Sequence, residues 1–106
     1  MTVNIWLEPV DKRDHFEIEL HDGREILVGR HPDCGVCLSH STVARHHCFI
    51  SYQDGVTVIR DLGSRYGISV NGHRVDRATL APGDLVMFGK EVEYVVRDRQ
   101  AERAGA

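Results

Sequence analysis

An all-β domain, a sandwich or barrel of many short strands, is the fold this sequence predicts, and three observations predict it. Apolar and polar residues alternate: Phe16, Ile18 and Leu20 share one face while Glu17 and Glu19 take the other, and Val92, Tyr94 and Val96 oppose Glu91, Glu93 and Arg97. Turn-forming pairs punctuate the chain at Asp22-Gly23, Asp54-Gly55, Asn71-Gly72 and Gly89-Lys90, each flanked by β-branched or aromatic residues and each able to supply the positive φ of a tight hairpin. No segment keeps a helical period over three turns.

In chain order, strands are expected at about 3–8, 15–20, 24–29, 35–38, 47–52, 56–61, 84–88 and 91–97, with shorter pieces near 67–70 and 74–79. Ile5 and Leu7 give the first strand its inward face, and Phe16 and Ile18 the second. Leu27 serves the third, Val36 and Leu38 the fourth, which leaves Cys37 outward. Phe49 and Ile50 serve the fifth, Val58 the sixth, and Leu85 and Tyr94 the last pair. Residues 1–97 form one domain. The stretch RDRQAERAGA holds helix-forming residues, and 98–106 read as a tail that is either a short helix or frayed.

With 106 residues the chain suits one domain, since domains run about 100–150 residues. Thirteen Lys and Arg stand against sixteen Asp and Glu, a net charge of −3, which argues against a nucleic-acid footprint spread over the surface. No apolar run approaches the roughly 18 residues of a membrane span, and the opening MTVNIWLEPVDKRD lacks the plan of a signal peptide. Three cysteines cannot all pair within one chain, so reduced thiols and a cytoplasmic setting are expected. No cofactor is implied.

Function is sought where strand character is weakest and polar residues gather, from His31 to Arg45 and from Gly63 to Gly72, because loops on a rigid scaffold carry most binding residues. Four pieces occur in order. They are Val28-Gly29-Arg30; Val43-Ala44-Arg45-His46-His47-Cys48; Asp61-Leu62-Gly63-Ser64-Arg65-Tyr66-Gly67; and Val70-Asn71-Gly72, leading to Leu80-Ala81-Pro82-Gly83-Asp84-Leu85-Val86-Met87-Phe88-Gly89. This order and spacing resembles the forkhead-associated (FHA) domain, over about residues 3 to 97. The resemblance implies a β-sandwich of about eleven strands whose loops at one end bind a phosphothreonine peptide. Arg30 falls on the family's phosphate-binding arginine, a role its planar guanidinium suits through parallel charge-assisted bonds. Arg45, Ser64 and Arg65 fall in the implied binding loops. Gly29, His47, Gly67 and Asn71 fall on positions that support those loops, His47 bracing them from inside and Asn71 building a hairpin turn.

Two positions depart from the family pattern. Ala44 stands where a serine hydroxyl is expected to bond the phosphate, and Tyr66 where an asparagine is expected to hold the ligand's backbone. Hydrogen bonds to charged groups contribute roughly 1.5–3 kcal/mol each, and about 1.4 kcal/mol is tenfold in affinity, so the two losses together cost on the order of a hundredfold. Arg30, Arg45 and Arg65 still gather positive charge at one end of an acidic chain, and Ser41 and Thr42 offer nearby hydroxyls. The expected site is therefore a degenerate phosphopeptide site, and the partner a protein or phosphopeptide.

Other function classes fare less well. The pair Cys34-x-x-Cys37 invites a zinc or dithiol reading, but a strand over 35–38 leaves Cys37 outward and roughly 10 Å along the chain from Cys34, and no helix follows, so no metal is expected. Ser41, His47 and Asp61 lack a nucleophile elbow or oxyanion loop, and no enzyme activity is expected. The remaining alternative is an interaction module of the same fold that ignores phosphorylation and uses another face of the sandwich, with Trp6 a candidate contact.

Overall fold

Eleven strands lie in two sheets across the residues that the computed structural model describes, 4–12 and 16–99. In chain order they are β1 (Ile5–Pro9), β2 (Ile18–Leu20), β3 (Arg24–Gly29), β4 (Val36–Cys37), β5 (Cys48–Gln53) and β6 (Val56–Asp61), then β7 (Ile68–Val70), β8 (His73–Val75), β9 (Arg77–Leu80), β10 (Leu85–Phe88) and β11 (Val92–Asp98). One sheet has the order β2-β1-β11-β10-β7-β8 and the other β4-β3-β5-β6-β9. Only the β3–β4 pair is parallel. The all-β sandwich expected from period-two alternation is the fold observed.

The core lies between the sheets. Ile5, Leu7, Ile18, Val86, Phe88, Val92, Tyr94 and Val96 face it from one side, and Val28, Cys48, Ile50, Ile59 and Leu80 from the other. Leu38 is buried as expected, and Val36 packs against the cluster. The Phe88 and Tyr94 rings meet edge to face with centroids 5.5 Å apart, an arrangement that adds to plain burial. The Tyr94 hydroxyl donates to the carbonyl of Phe16 at 3.0 Å.

Five core expectations are corrected. Phe16 is 88% exposed, and β2 starts only at Ile18. Val10 donates to Glu93 on the β11 side, so by alternation Pro9 faces β2, and Pro9 has no N–H with which to extend the pairing to Phe16. Leu27, Phe49 and Val58 are half-buried on the outer face of the five-stranded sheet. Neighbours in a strand point to opposite sides, so Phe49 and Ile50 cannot both enter the core; Ile50, opposite Ile26 and Ile59, is the one that does. The same register sends Thr57 and Ile59 inward and Val58 out. Leu85 is 41% exposed for the same reason, with Val86 and Phe88 taking the inward phase.

The piece expected at 74–79 is two strands in different sheets. β8 pairs with β7, Asp76 turns the chain, and β9 pairs with β6. β11 runs to Asp98, where it pairs with Ile5 at the start of β1. The helix-or-frayed alternative for the tail falls on residues 100–106, and part of the second expected strand on 13–15, both outside the described residues.

Candidate functional site

β3, β5, β6, β7, β10 and β11 all begin or end at one pole of the sandwich, and the loops between them build a cleft there. Its lining is Arg30, Ser41, Thr42, Val43, Ala44, Arg45, His46, Arg65 and Tyr66. The backbone explains how these loops hold together. Beyond the β3–β5 pairing, Arg30 donates its N–H to the Ala44 carbonyl at 3.0 Å, His31 donates to Arg45 at 3.1 Å, and His47 donates to Val28 at 2.8 Å. A Cβ at Gly29 would collide with the Arg45 carbonyl, so only glycine admits this approach.

Arg30 is exposed, and its Nε donates to the Val43 carbonyl. Its two terminal nitrogens have no partner among the described residues, so the guanidinium is anchored at its base with its fork open to the cleft. Arg45 and Arg65 are exposed on the same rim. The Tyr66 ring meets two cations, with the Arg65 guanidinium carbon 5.3 Å and the Lys90 ammonium 4.6 Å from its centroid.

His47 is fully buried beneath this surface. Its Nδ1 accepts the Ala44 N–H at 2.9 Å and its Nε2 donates to the Gly67 carbonyl at 2.8 Å, which fixes the tautomer with the proton on Nε2. The ring therefore ties the 41–46 loop to the 63–67 loop, and it rests edge-on against Phe88. Gly67 sits at φ 72°, where any side chain would be strained, and its carbonyl also accepts the Gly89 N–H at 3.0 Å.

Ser64 sits low in its loop. It is buried, its hydroxyl donates to Asp61 Oδ1, and Asp61 Oδ2 accepts the N–H groups of Gly63 and Ser64 at 3.0 Å each. The aspartate closes the turn that presents Arg65, and the serine hydroxyl points into that turn and away from the cleft lining. Asn71 stands at the far end of β7 from Gly67. Its Oδ1 accepts the Leu85 N–H at 2.9 Å and its Nδ2 donates to Asp84 at 3.0 Å, joining the β7–β8 hairpin to the turn before β10. With φ 52° followed by Gly72 at 84°, the Asn-Gly pair forms the tight turn its sequence indicates.

Sequence reasoning missed Lys90 and the braces that carry it. Gly89-Lys90 reads as a turn, and nothing in one sequence shows that this turn lies across from residues 40–42. Lys90 N–H donates to Thr42 Oγ1 at 3.1 Å, His40 Nε2 meets Glu91 at 3.0 Å, and a Cβ at Gly89 would strike Thr42. Thr42 is committed to these braces. Ser41, exposed at the rim, has a hydroxyl with no partner among the described residues.

Two of the three thiols are poor nucleophiles. Cys34 and Cys48 are buried, and burial pushes both thiols above the ordinary range. Cys34 donates to the Arg45 carbonyl and the exposed Cys37 to the Arg30 carbonyl, each at 3.3 Å, so the two sulfurs serve separate backbone segments.

The anchored arginine, the buried histidine brace and the glycine beneath them thus lie together at one pole of the sandwich. A family model described as FHA domain matches residues 26–89. The chain belongs to the FHA family. This FHA domain is 44% identical over 63 residues to the glycogen accumulation regulator GarA of Mycolicibacterium smegmatis, covering 59% of this chain and 40% of that one. It is 37% identical over 80 residues to GarA of Mycobacterium tuberculosis, covering 74% and 49%. The chain thus spans about half or less of the length of these curated relatives. Among solved structures, one described as an analysis of phosphothreonine-dependent FHA domain interactions superposes with a TM-score of 0.80 at 30% identity, covering 89% of this chain and 95% of that one. The FHA domain of FhaA, complexed with the intracellular domain of Rv3910, superposes with a TM-score of 0.79 at 30% identity, covering 88% and 99%.

Proposed function

We propose that this FHA domain binds a phosphothreonine-bearing segment of a partner protein at the Arg30 cleft, and that it works by recognition with no catalytic step of its own. The observation that carries the proposal is the state of Arg30. Its Nε is spent on Val43 while its terminal nitrogens stay open, which leaves a preoriented fork for two phosphate oxygens. Arg45, Arg65 and Lys90 surround it with positive charge on a chain of net charge −3, a local field that attracts a dianionic group. Related domains whose descriptions name phosphothreonine-dependent interactions share the fold. Ser64 contributes by shaping the turn that carries Arg65, and Ser41 supplies a free hydroxyl on the same cleft as Ala44.

Ala44 has no hydroxyl and Tyr66 no amide, so the site is weaker than one carrying both. A cytoplasmic setting fits phosphopeptide recognition and reduced thiols. The experiment is calorimetric titration with a phosphothreonine peptide pool and its unphosphorylated counterpart, using the native domain and Arg30→Ala. Phosphate-dependent heat that falls at least tenfold in affinity in Arg30→Ala is expected. Equal binding of both peptide forms, unaffected by the substitution, would assign recognition to another face of the sandwich.

A further inference from the structure

At the rim of the cleft, three side chains converge, of which His46 also lines the cleft. His31 and Asp33 lie in the turn between β3 and β4, and His46 immediately precedes His47 and β5. Their donor atoms, His31 Nδ1, Asp33 carboxylate oxygens and His46 Nε2, all fall within 4.8 Å of one another. Asp33 Oδ1 is 2.6 Å from His31 Nδ1 and 3.1 Å from His46 Nε2, and Oδ2 is 3.4 Å from His46. The two imidazole rings are 5.2 Å apart and tilted by 33°.

One nitrogen of this cluster is approached by both a donor and an acceptor. The backbone N–H of Asp33 points at His31 Nδ1 from 3.1 Å, which uses that nitrogen as an acceptor. Yet Asp33 Oδ1, also an acceptor, lies 2.6 Å from the same nitrogen. With the proton on Nδ1 the two form an imidazole–carboxylate hydrogen bond, and the exposed Asp33 N–H turns to solvent. A cation can take the place of that proton between nitrogen and oxygen. We propose that His31, Asp33 and His46 bind one divalent transition-metal ion of the zinc class.

The donor set and its size suit that ion. Two imidazoles and a carboxylate are ligands common to zinc and its neighbours, and three protein donors leave a position for water or an exchangeable ligand. Tetrahedral zinc with bonds of 2.0–2.1 Å needs donors about 3.3 Å apart. The Asp33–His46 spacing of 3.1 Å is close to that value, the Asp33–His31 spacing of 2.6 Å is about 0.7 Å short of it, and the two ring nitrogens lie within 4.8 Å of each other, so side-chain rotations in this exposed site must open the first contact and bring the rings to the ion. The backbone already holds the turn and the loop together, through His31 N–H to Arg45 and Cys34 N–H to His31. The inference is separate from phosphopeptide binding, and its test contains no peptide.

The domain, freed of any affinity tag, is titrated with zinc chloride by calorimetry and with cobalt chloride by absorption at pH 7.5, and its melting temperature is read with and without zinc. One equivalent bound with micromolar or tighter affinity is expected, with a cobalt spectrum lacking thiolate charge transfer and a rise in melting temperature. His46→Ala and Asp33→Ala each weaken binding at least tenfold and abolish the thermal shift; both residues are exposed, and circular dichroism checks that the variants fold. Cys37→Ser and His73→Ala bind as the native domain does. Binding weaker than micromolar, retention in His46→Ala and Asp33→Ala, or loss in Cys37→Ser with thiolate charge transfer in the native domain would overturn the proposal.

Discussion

Ala44 shows how much of a binding site survives the loss of one oxygen. Its N–H is taken by His47 Nδ1 and its carbonyl by the Arg30 N–H, so the backbone is pinned on both sides and the methyl lines the cleft beside the arginine fork. A serine fits the same backbone. Ala44→Ser is expected to raise affinity for a phosphothreonine peptide about tenfold, the low end of the 1.5–3 kcal/mol scale for charge-assisted bonds after the hydroxyl's lost hydration; calorimetry on the two proteins measures it, and an unchanged affinity would place the phosphate away from residue 44. Tyr66 is a different kind of departure, since its ring engages both Arg65 and Lys90. At this scale Arg30, His47 and Gly29 were legible because each holds a distinctive chemical post in a recognisable spacing. Lys90 was not, because its role depends on a turn brought across from elsewhere in the chain.

Among the strands, β6 carries a conflict that the fold tolerates. Thr57 is buried in the inward phase, and its hydroxyl has no hydrogen-bond partner among the described residues. An unmade bond of this kind costs about 1–3 kcal/mol. Thr57→Val keeps the shape and removes the hydroxyl, so it is expected to stabilise the domain by about 1 kcal/mol, read as a higher urea midpoint at unchanged slope; a lower midpoint would show that the hydroxyl is satisfied. The same strand shows why phase is hard to read from one sequence. Val56-Thr57-Val58-Ile59 and Cys48-Phe49-Ile50 offer apolar residues to both faces, and only the pairing of Ile50 with Ile59 selects one. Where polar residues alternate cleanly, as in β11, the inward set Val92, Tyr94 and Val96 was fully legible. The switch of sheet at Asp76 left no signal beyond a short polar break.

Across the whole molecule, burial of titratable groups sets the alkaline limit. Burial raises the Tyr94 phenol from its ordinary 10 to about 12, so the folded domain holds that proton more tightly than the unfolded chain does. Its contribution is fully present below pH 10 and is lost as pH rises through 12. Cys34 and Cys48, raised by the same cause, act in the same direction from lower pH. The drop in stability between pH 8 and pH 11 is expected to be about 1 kcal/mol smaller in Tyr94→Phe, measured by denaturant midpoints at both pH values; an equal drop would give the alkaline loss to the thiols alone. The pairing of Ile5 with Asp98 has a consequence of another order. β11 leaves the cleft pole near Lys90 and reaches Asp98 about 20 Å away, beside the first residue of β1, where Arg99 N–H donates to the Asn4 carbonyl. Entry and exit thus share one doorway at the base of the sandwich. A domain so wired can be spliced into a host chain as a plug-in unit, both connections running from its underside while the opposite pole stays free to face an incoming protein.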